Sequence, residues 1–246
     1  MLFAVPWLGK VILGTTDTPR HDLAREPSPF GEEVDFILRE SGRYLSKAPR
    51  REDIKSIWVG LRPLVKPADD DGDDTKGLSR EHTVLVSRSG LLTVTGGKWT
   101  TYRAMAEDVL QKASEASLLE RARPGVTTHL TLVGGGLPGG ERHRISDAPG
   151  LHSYGSETRA VLEMPGAENV LGGGLTEGMV RFAARHEYAR TIEDVLARRS
   201  RLLFLDASLA ATLADRVAQI LEDETGADPQ KQVFLNLTRH YQELPT

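Results

Sequence analysis

The chain has 246 residues and a formal net charge of −4, with 27% charged and 39% hydrophobic residues and no cysteine. This length predicts one large domain or two ordinary ones. The mild acidity gives no reason to expect nucleic acid as a partner, and the lack of cysteine excludes disulfides, thiolate catalysis and cysteine-ligated metals. The lack of cysteine also fits a reducing cytoplasm. No apolar run approaches the ~20 residues of a membrane helix. The N-terminus lacks the basic flank of a signal peptide.

The first hundred residues are predicted to form mainly strands. Apolar runs at residues 2–5 and 11–13 flank Gly9-Lys10, which is typical of a hairpin. Residues 32–45 have apolar side chains at helical spacing and predict a helix. Because Met1 opens directly into a strand, we expect its pairing partners to lie upstream of this sequence. Further strands are predicted at residues 54–64, 83–86 and 91–95.

The most informative motif is the turn Gly96-Gly97-Lys98. A predicted strand leads into it, and a predicted helix begins at Thr100-Thr101 and runs to about residue 116. Glycines allow a close approach of the backbone, and the free N–H groups at a helix start favour an anion. Lys98 adds a full positive charge. The motif therefore predicts a receptor for a flat or phosphorylated anionic ligand; the alternative is an ordinary strand-to-helix turn with a surface lysine.

Two arginines and a histidine are further candidate site residues. Arg62 lies inside an apolar stretch, where an unpaired charge is costly, and its planar guanidinium suits a carboxylate or phosphate. Arg80 precedes the strand predicted at residues 83–86 and would bind an anion, and His82 would shuttle a proton. The alternatives are a structural ion pair for Arg62 and a solvated strand entry for Arg80 and His82.

Two motifs resemble metal sites but lack essential ligands. The acidic run at residues 69–74 resembles a calcium loop, but Pro67 and Leu78 occupy positions that require oxygen ligands. The sequence His186-Glu187 begins a zinc-binding helix pattern, but Arg190 stands where the second histidine is required. The sequence therefore predicts no metal.

The second half of the chain is predicted to be helical. Residues 121–150 are rich in Gly, Pro and Arg and are interpreted as a connector, and the glycine triplets at 134–136 and 172–174 are interpreted as loops rather than dinucleotide fingerprints. Thr191-Ile192-Glu193-Asp194 approximates a capping box with Asp in place of Glu. Gly226 stands where a helix should end. Helices are predicted at residues 156–164, 176–188, 192–199, 207–225 and 229–242.

These elements predict an α+β fold followed by an all-α C-terminal domain. The first part, residues 1–122, is expected to contain a mixed sheet and the helix that follows the glycine turn. The second part, residues 123–246, is expected to be the helical domain.

Several motifs match a known family in order along the chain: residues 2–7, 14–19, 60–64, 79–82, 95–103, 137–140, 154–155, 185–190 and 194–199. On these motifs, the chain resembles the C-terminal portion of FAD-dependent (aerobic) glycerol-3-phosphate dehydrogenase over essentially its whole length. The resemblance implies that residues 1–122 are the C-terminal part of an FAD- and substrate-binding domain, in which the helix after the glycine turn faces the flavin. Full-length members begin with a βαβ unit carrying Gly-x-Gly-x-x-Gly, which binds the FAD pyrophosphate and is absent here.

The resemblance implies hydride transfer from C2 of sn-glycerol 3-phosphate to flavin N5, with FAD as cofactor and quinone as electron acceptor, or oxygen in related oxidases. The residues it assigns to the flavin are Gly96, Gly97, Lys98, Thr100 and Thr101. Those it assigns to substrate binding are Arg62, Arg80, Lys98 and Thr16, and those it assigns to catalysis are Arg62, Lys98 and His82. The base is expected either at His82 or in the absent N-terminal half.

The chain alone is expected to be inactive and not to retain FAD. The alternative is a non-catalytic helical interaction module or one subunit of a split flavoenzyme. The oligomeric state is not determined by the sequence, and a homodimer is one alternative. The expected location is the cytoplasm or the periphery of the cytoplasmic face of the inner membrane.

Overall fold

The computed structural model describes residues 2–61, 81–120, 125–135 and 143–245. The strands are Phe3–Trp7 (β1), Lys10–Gly14 (β2), Thr83–Val86 (β3), Leu92–Thr95 (β4), Val170–Gly172 (β5) and Leu175–Thr176 (β6). The α-helices are Gly31–Gly42 (α1), Tyr102–Glu115 (α2), Thr158–Leu162 (α3), Glu177–His186 (α4), Leu202–Leu205 (α5), Ala207–Thr225 (α6) and Lys231–Gln242 (α7). Shorter helical turns are Arg51–Asp53, Trp99–Thr101 and Leu151–Glu157, which are 3₁₀, and Asp194–Arg199, which is π-helical.

The chain packs as two compact units, one formed by Met1–Gly60 with Leu132–Thr246 and the other by Leu61–Thr131. The α+β class with a helical C-terminal portion is confirmed. Within the described residues, the strands pair as three two-stranded antiparallel sheets rather than as the expected mixed sheet, because each strand pairs with its neighbour in the chain. The predicted boundary between residues 122 and 123 lies outside the described residues and stays a prediction.

In the first unit, β1 and β2 form the hairpin that the apolar runs predict. The turn residues Leu8 and Gly9 both have positive φ, 47° and 78°, as in the tight turns whose twist matches a hairpin. Their N–H groups donate to the carbonyl oxygens of Ile145 and Ser146 at 2.7 and 2.9 Å. The hairpin turn is thus fixed to a segment that lies more than 130 residues later in the chain.

The strand predicted at residues 54–64 is wrong over its described part, which contains no strand. The N–H group of Ile57 instead donates to the carbonyl oxygen of Tyr241, at the end of α7, at 2.9 Å. The ring of Trp58 packs edge-on against Phe204 with centroids 5.2 Å apart. The alternating apolar side chains therefore pack against helices, and an alternating pattern alone does not distinguish that environment from a sheet.

The hydrophobic core of the first unit lies among α4, the π-helical turn, α5, α6 and α7. The bounds of α6 are those predicted, and its buried side chains recur at helical spacing, as at Ala210, Ala214, Val217 and Leu221. The largest fully buried side chains are Phe182, Phe234, Ile192, Leu196, Leu203, Ile220 and Leu221.

Two predicted helix ends are confirmed. The N–H group of Asp194 donates to Thr191 Oγ1 at 3.2 Å, and the N–H group of Thr191 donates to Asp194 Oδ2 at 2.9 Å, which makes a reciprocal capping box. Gly226 ends α6 with φ of 66°. The glycine triplet at residues 172–174 is the turn of a short hairpin, β5–β6, which the sequence pattern does not predict.

In the second unit, β3 and β4 are antiparallel, with Thr83 opposite Thr95, as the sequence predicts. The 3₁₀ turn Trp99–Thr101 continues directly into α2, which confirms the helix predicted after the glycine pair. The end of β4, the glycine turn and the start of α2 are therefore consecutive and closely packed.

Candidate functional site

The Gly96-Gly97-Lys98 turn packs tightly against its own unit. Gly96 and Gly97 have φ of 76° and 83°, in the left-handed region that favours glycine. A Cβ atom on Gly96 would lie 2.7 Å from the carbonyl oxygen of Glu81, and one on Gly97 would lie 2.7 Å from Met105 Sδ. Both positions therefore require glycine, because the turn is pressed between the entry to β3 and the first turns of α2.

The start of the helix offers unpaired donors next to a cation. The carbonyl oxygen of Lys98 accepts hydrogen bonds from the N–H group and the Oγ1 hydroxyl of Thr101, both at 2.9 Å. Among the residues that the structure describes, the main-chain N–H groups of Lys98, Trp99 and Thr100 make no hydrogen bond, and the exposed Lys98 side chain has no ion-pair partner. These donors and the positive end of the helix dipole favour an anionic ligand.

An aromatic pair follows Lys98 in the chain. The rings of Trp99 and Tyr102 are stacked with centroids 5.4 Å apart, and Trp99 is 86% exposed. Large aromatic side chains usually lose most of their exposure on folding. This part of the unit therefore presents a flat apolar surface together with the Lys98 charge, a combination that suits a planar anion.

His82 lies against the same turn and is held by a carboxylate. A Cβ atom on Gly97 would lie 3.0 Å from His82 Cβ. The Nε2 atom of His82 is 2.6 Å from Asp108 Oδ2 on α2. An Nε2–H group that donates to Asp108 leaves Nδ1 as the acceptor nitrogen of a neutral imidazole. The arrangement can accept a proton at Nδ1 while the carboxylate fixes the ring orientation.

The structure places the remaining predicted residues differently. Thr16 belongs to the first unit, near Glu33 at the start of α1, and the hydroxyl that donates to Glu33 Oε1, at 2.7 Å, is that of Thr18. Burial alone would raise the pKa of Glu33, but hydrogen bonds from Thr18, Thr16 and the N–H group of Phe30 hold it below its usual value. Arg62 and Arg80 lie outside the described residues, and their roles stay predictions. The described residues thus bring together Gly96, Gly97, Lys98, Thr100, Thr101 and His82.

Asp108 is the site residue that sequence reasoning missed. It lies three residues after Met105 on α2, and side chains three positions apart share a helix face. Because Met105 packs against Gly97, this spacing could have placed Asp108 on the side of α2 that faces the turn. No motif marks Asp108, so only the helical period after the glycine pair gives a signal.

Among the described residues, no group of three or more His, Asp or Glu side chains is arranged to hold a metal ion. The helices of the described ranges include none that is both long and apolar enough to cross a membrane.

Comparison with known families matches residues 96–232 to the C-terminal domain of alpha-glycerophosphate oxidase, and residues 1–103 to the FAD dependent oxidoreductase family. A mitochondrial glycerol-3-phosphate dehydrogenase of Arabidopsis thaliana is 34% identical over 94% of this chain and 41% of its own length. The mitochondrial enzyme of Homo sapiens is 36% identical over 94% of this chain and 34% of its own length.

A third similar protein, the mitochondrial glycerol-3-phosphate dehydrogenase of Schizosaccharomyces pombe, is 32% identical over 93% of this chain and 42% of its own length. The chain thus spans about two fifths or less of these relatives. The resemblance read from the ordered motifs is confirmed by these matches.

Proposed function

Because the chain belongs to the family of the C-terminal domain of alpha-glycerophosphate oxidase, we propose that it is the flavin-facing and substrate-binding part of an FAD-dependent oxidoreductase. The proposed reaction oxidises sn-glycerol 3-phosphate to dihydroxyacetone phosphate. The observation that carries the proposal is the Gly96-Gly97-Lys98 turn. There a helix start and an exposed cation meet N–H groups that have no acceptor in the part of the chain that the structure describes. The names of the similar proteins and the match of residues 1–103 support the same reaction.

The residues of this turn fit a flavin. The pyrimidine edge of a flavin carries carbonyl oxygens and a ring nitrogen that accept hydrogen bonds. The main-chain N–H groups of residues 98–100 have no acceptor within the described ranges and would donate to this edge. Gly96, Gly97, Lys98, Thr100 and Thr101 would hold this edge. FAD, when bound, supplies the hydride acceptor at flavin N5. A helix start stabilises a nearby negative charge by ~0.3–1 kcal/mol, and about 2 when partly buried.

The substrate would be held by cations at the same place. Lys98 would contact a substrate oxygen as well as the flavin, and Arg62 and Arg80 would bind the phosphate through charge-assisted hydrogen bonds. Thr16 would contribute a hydroxyl to the substrate cavity.

His82 would accept the proton of the C2 hydroxyl. Its Nδ1 atom is free to act as an acceptor when Nε2–H donates to Asp108 at 2.6 Å. Arg62 and Lys98 would stabilise the negative charge that grows on the C2 oxygen as this proton leaves.

The electron acceptor is proposed to be quinone, as in dehydrogenases of this type. The family match to a glycerophosphate oxidase favours oxygen as the second candidate. We place the protein in the cytoplasm or on the cytoplasmic face of the inner membrane. Residues 1–122 would be the catalytic part and residues 123–246 the helical domain, with a homodimer as the assembled form.

The test uses the natural polypeptide that contains this sequence. It measures FAD absorbance and the reduction of a quinone analogue, or the consumption of oxygen, on addition of sn-glycerol 3-phosphate. We expect Lys98→Ala to slow flavin reduction in stopped-flow measurements and Arg62→Ala mainly to raise KM. Lys47→Ala, at an exposed position of the first unit, serves as the control. A polypeptide that folds but neither binds FAD nor oxidises the substrate favours the helical interaction module or the split subunit instead.

A further inference from the structure

A polar cavity lies wholly within the first unit, among the helices. Its volume is about 430 Å³. The walls come from the β5–β6 turn, from residues 149–157, from the end of α4 and from residues 198–201. Leu8, Leu175 and Met179 contribute apolar side chains to the lining. The cavity therefore combines an apolar part with polar groups contributed by four separate segments, which is typical of a small-ligand site.

Tyr154 provides an unused hydroxyl in this lining. Its ring is fixed edge-on against Phe182, with centroids 5.4 Å apart, but its hydroxyl makes no hydrogen bond within the described part of the chain. Burial and the charge of Glu187 raise the pKa of Tyr154, while the positive charge of Arg199 acts in the opposite direction. The phenol thus lies within electrostatic reach of both charged groups and stays neutral at physiological pH. It is free to donate a hydrogen bond to a ligand.

The surroundings of Glu187 destabilise its ionised carboxylate. It follows the last residue of α4, at the negative end of the helix dipole, and its side chain is 25% exposed. Burial raises its pKa, with a smaller opposing effect from Arg199. The closest approach of the two side chains is 3.9 Å, between Arg199 Nε and Glu187 Oε2, so the ion pair is loose. A ligand hydroxyl that donates to Glu187 would offset this cost.

Arg201 provides a cation with no carboxylate partner among the residues that the structure describes. Its φ of 63° is left-handed, which is uncommon for a residue other than glycine and is found more often at functional sites. Arg198, three residues earlier, is instead neutralised by Glu193 and Asp194. The positive charge available to a ligand in this cavity therefore comes from Arg201, supplemented by Arg199.

We propose that this cavity binds a small hydroxylated anion, with its anionic end at Arg201 and Arg199 and its hydroxyl groups at Tyr154 and Glu187. Within the described part of the chain, the Arg201 guanidinium donates only to the carbonyl oxygen of Arg198. An anion alone would leave the Tyr154 hydroxyl unused, and an uncharged polyol would leave the positive charge of Arg201 unbalanced. The anionic group is a phosphate ester or a carboxylate. All the residues that line this cavity belong to the first unit, whereas the Gly96-Gly97-Lys98 turn belongs to the second.

Isothermal titration of the 246-residue chain tests the proposal with sn-glycerol 3-phosphate and D-glycerate as the two anionic probes. Two controls each lack one of the recognised groups: glycerol has hydroxyl groups but no negative charge, and inorganic phosphate has the charge but no hydroxylated carbon chain. We expect one site for at least one anionic probe, with binding at least about tenfold tighter than that of either control. The probe that binds identifies the anionic group. If neither anionic probe binds, the proposal is overturned.

Variants separate this site from the one in the second unit. Arg201→Gln is expected to weaken binding about tenfold and Tyr154→Phe about threefold, with unchanged thermal unfolding, whereas the control Lys47→Ala, at an exposed position outside the cavity, should leave the affinity unchanged. Tyr154→Phe keeps the ring contact with Phe182, so its loss of affinity would not come from misfolding. If Lys98→Ala abolishes binding while Arg201→Gln does not, the ligand occupies the glycine turn, and this cavity is not its site.

Discussion

The Nε2 atom of His82 lies 2.6 Å from the Oδ2 atom of Asp108. The pair joins the residue that precedes β3 to the middle of α2, and His82 also packs against Gly97. One carboxylate therefore fixes the imidazole next to the turn that carries Lys98. In the proposed reaction, the orientation of the base depends on a helix that begins at that same turn.

Asp108→Asn is expected to lower kcat at least tenfold while changing KM for sn-glycerol 3-phosphate little, because the amide no longer sets the tautomer of His82. Steady-state kinetics of the natural polypeptide across pH 6–9 would measure this, and the pH dependence of kcat should change as well. Glu115→Gln is the control, since Glu115 is exposed on the same helix and pairs with Lys112. An unchanged kcat and pH profile would remove His82 from proton transfer.

Gly155→Ala is expected to destabilise the first unit by at least about 2–3 kcal/mol. Gly155 has φ of 54° and ψ of −124°, and a Cβ atom there would overlap the carbonyl oxygen of Gly134. Gly226 also has positive φ, but a Cβ atom on it would have open space around it, with no neighbour within 4 Å. Gly226→Ala should therefore cost only about 1 kcal/mol.

Urea unfolding measures the difference between the two glycine variants, with one shared value for the dependence of the unfolding free energy on urea concentration. Equal losses for Gly155→Ala and Gly226→Ala would mean that backbone strain alone, and not the approach to Gly134, sets the requirement for glycine at residue 155.

Sequence reasoning succeeds where local chemistry determines the structure. The capping box at Thr191 and Asp194 and the helix end at Gly226 depend on residues within a few positions of each other, and both are found as predicted. The glycine turn before α2 is equally local. The hydrophobic period of α6 predicts its bounds because one helix face meets the core along its whole length.

Sequence reasoning fails where contacts with segments distant in the chain determine the local structure. The strand predicted from residue 54 onward is absent because Ile57 bonds the end of α7, almost two hundred residues later. The cavity that includes Tyr154 and Glu187 assembles from segments that no spacing rule connects. The residues around His186-Glu187 indicate only an incomplete metal motif. The contacts of Glu187 depend on the packing of α4 against residues 198–201, which the local sequence does not specify. The roles of Arg62 and Arg80 stay predictions.

Asp194→Ala is expected to destabilise the first unit by about 1 kcal/mol at pH 7, because it removes half of a capping box. Burial would raise the pKa of Asp194, but hydrogen bonds from the N–H groups of Arg190 and Thr191 outweigh it and lower the pKa. A lowered pKa means that this stabilisation is complete above the unfolded value of about 4 and is lost as the pH falls through the folded value.

The difference in unfolding free energy between the native chain and Asp194→Ala should therefore shrink as the pH falls below the unfolded value of about 4. Asp223→Ala is the matched control, because Asp223 is exposed on α6. A difference that stays constant with pH would show that the carboxylate charge is not what stabilises the cap.

Glu224→Gln is expected to cost about 3 kcal/mol, whereas Asp215→Asn on the same helix should cost less than about 1 kcal/mol. The Glu224 side chain is 8% exposed and accepts hydrogen bonds at 2.6 Å from both Arg181 and Arg185 of α4. Hydrogen bonding to Arg185, followed by that to Arg181, holds the pKa of Glu224 below its usual value.

The Asp215 pair with Lys231 has a similar length, 2.6 Å, but its side chains are 75% and 49% exposed. Solvent screens this pair, so distance alone does not predict the cost of losing it. Loss of Glu224 would instead leave two arginines close together, with Arg181 16% exposed, and the α4–α6 contact would carry an uncompensated charge.

Urea unfolding of both variants in low and high salt measures the contrast: the Asp215→Asn effect should vanish in high salt, and the Glu224→Gln effect should largely persist. Equal losses for the two variants would show that burial does not set the strength of the α4–α6 ion pairs.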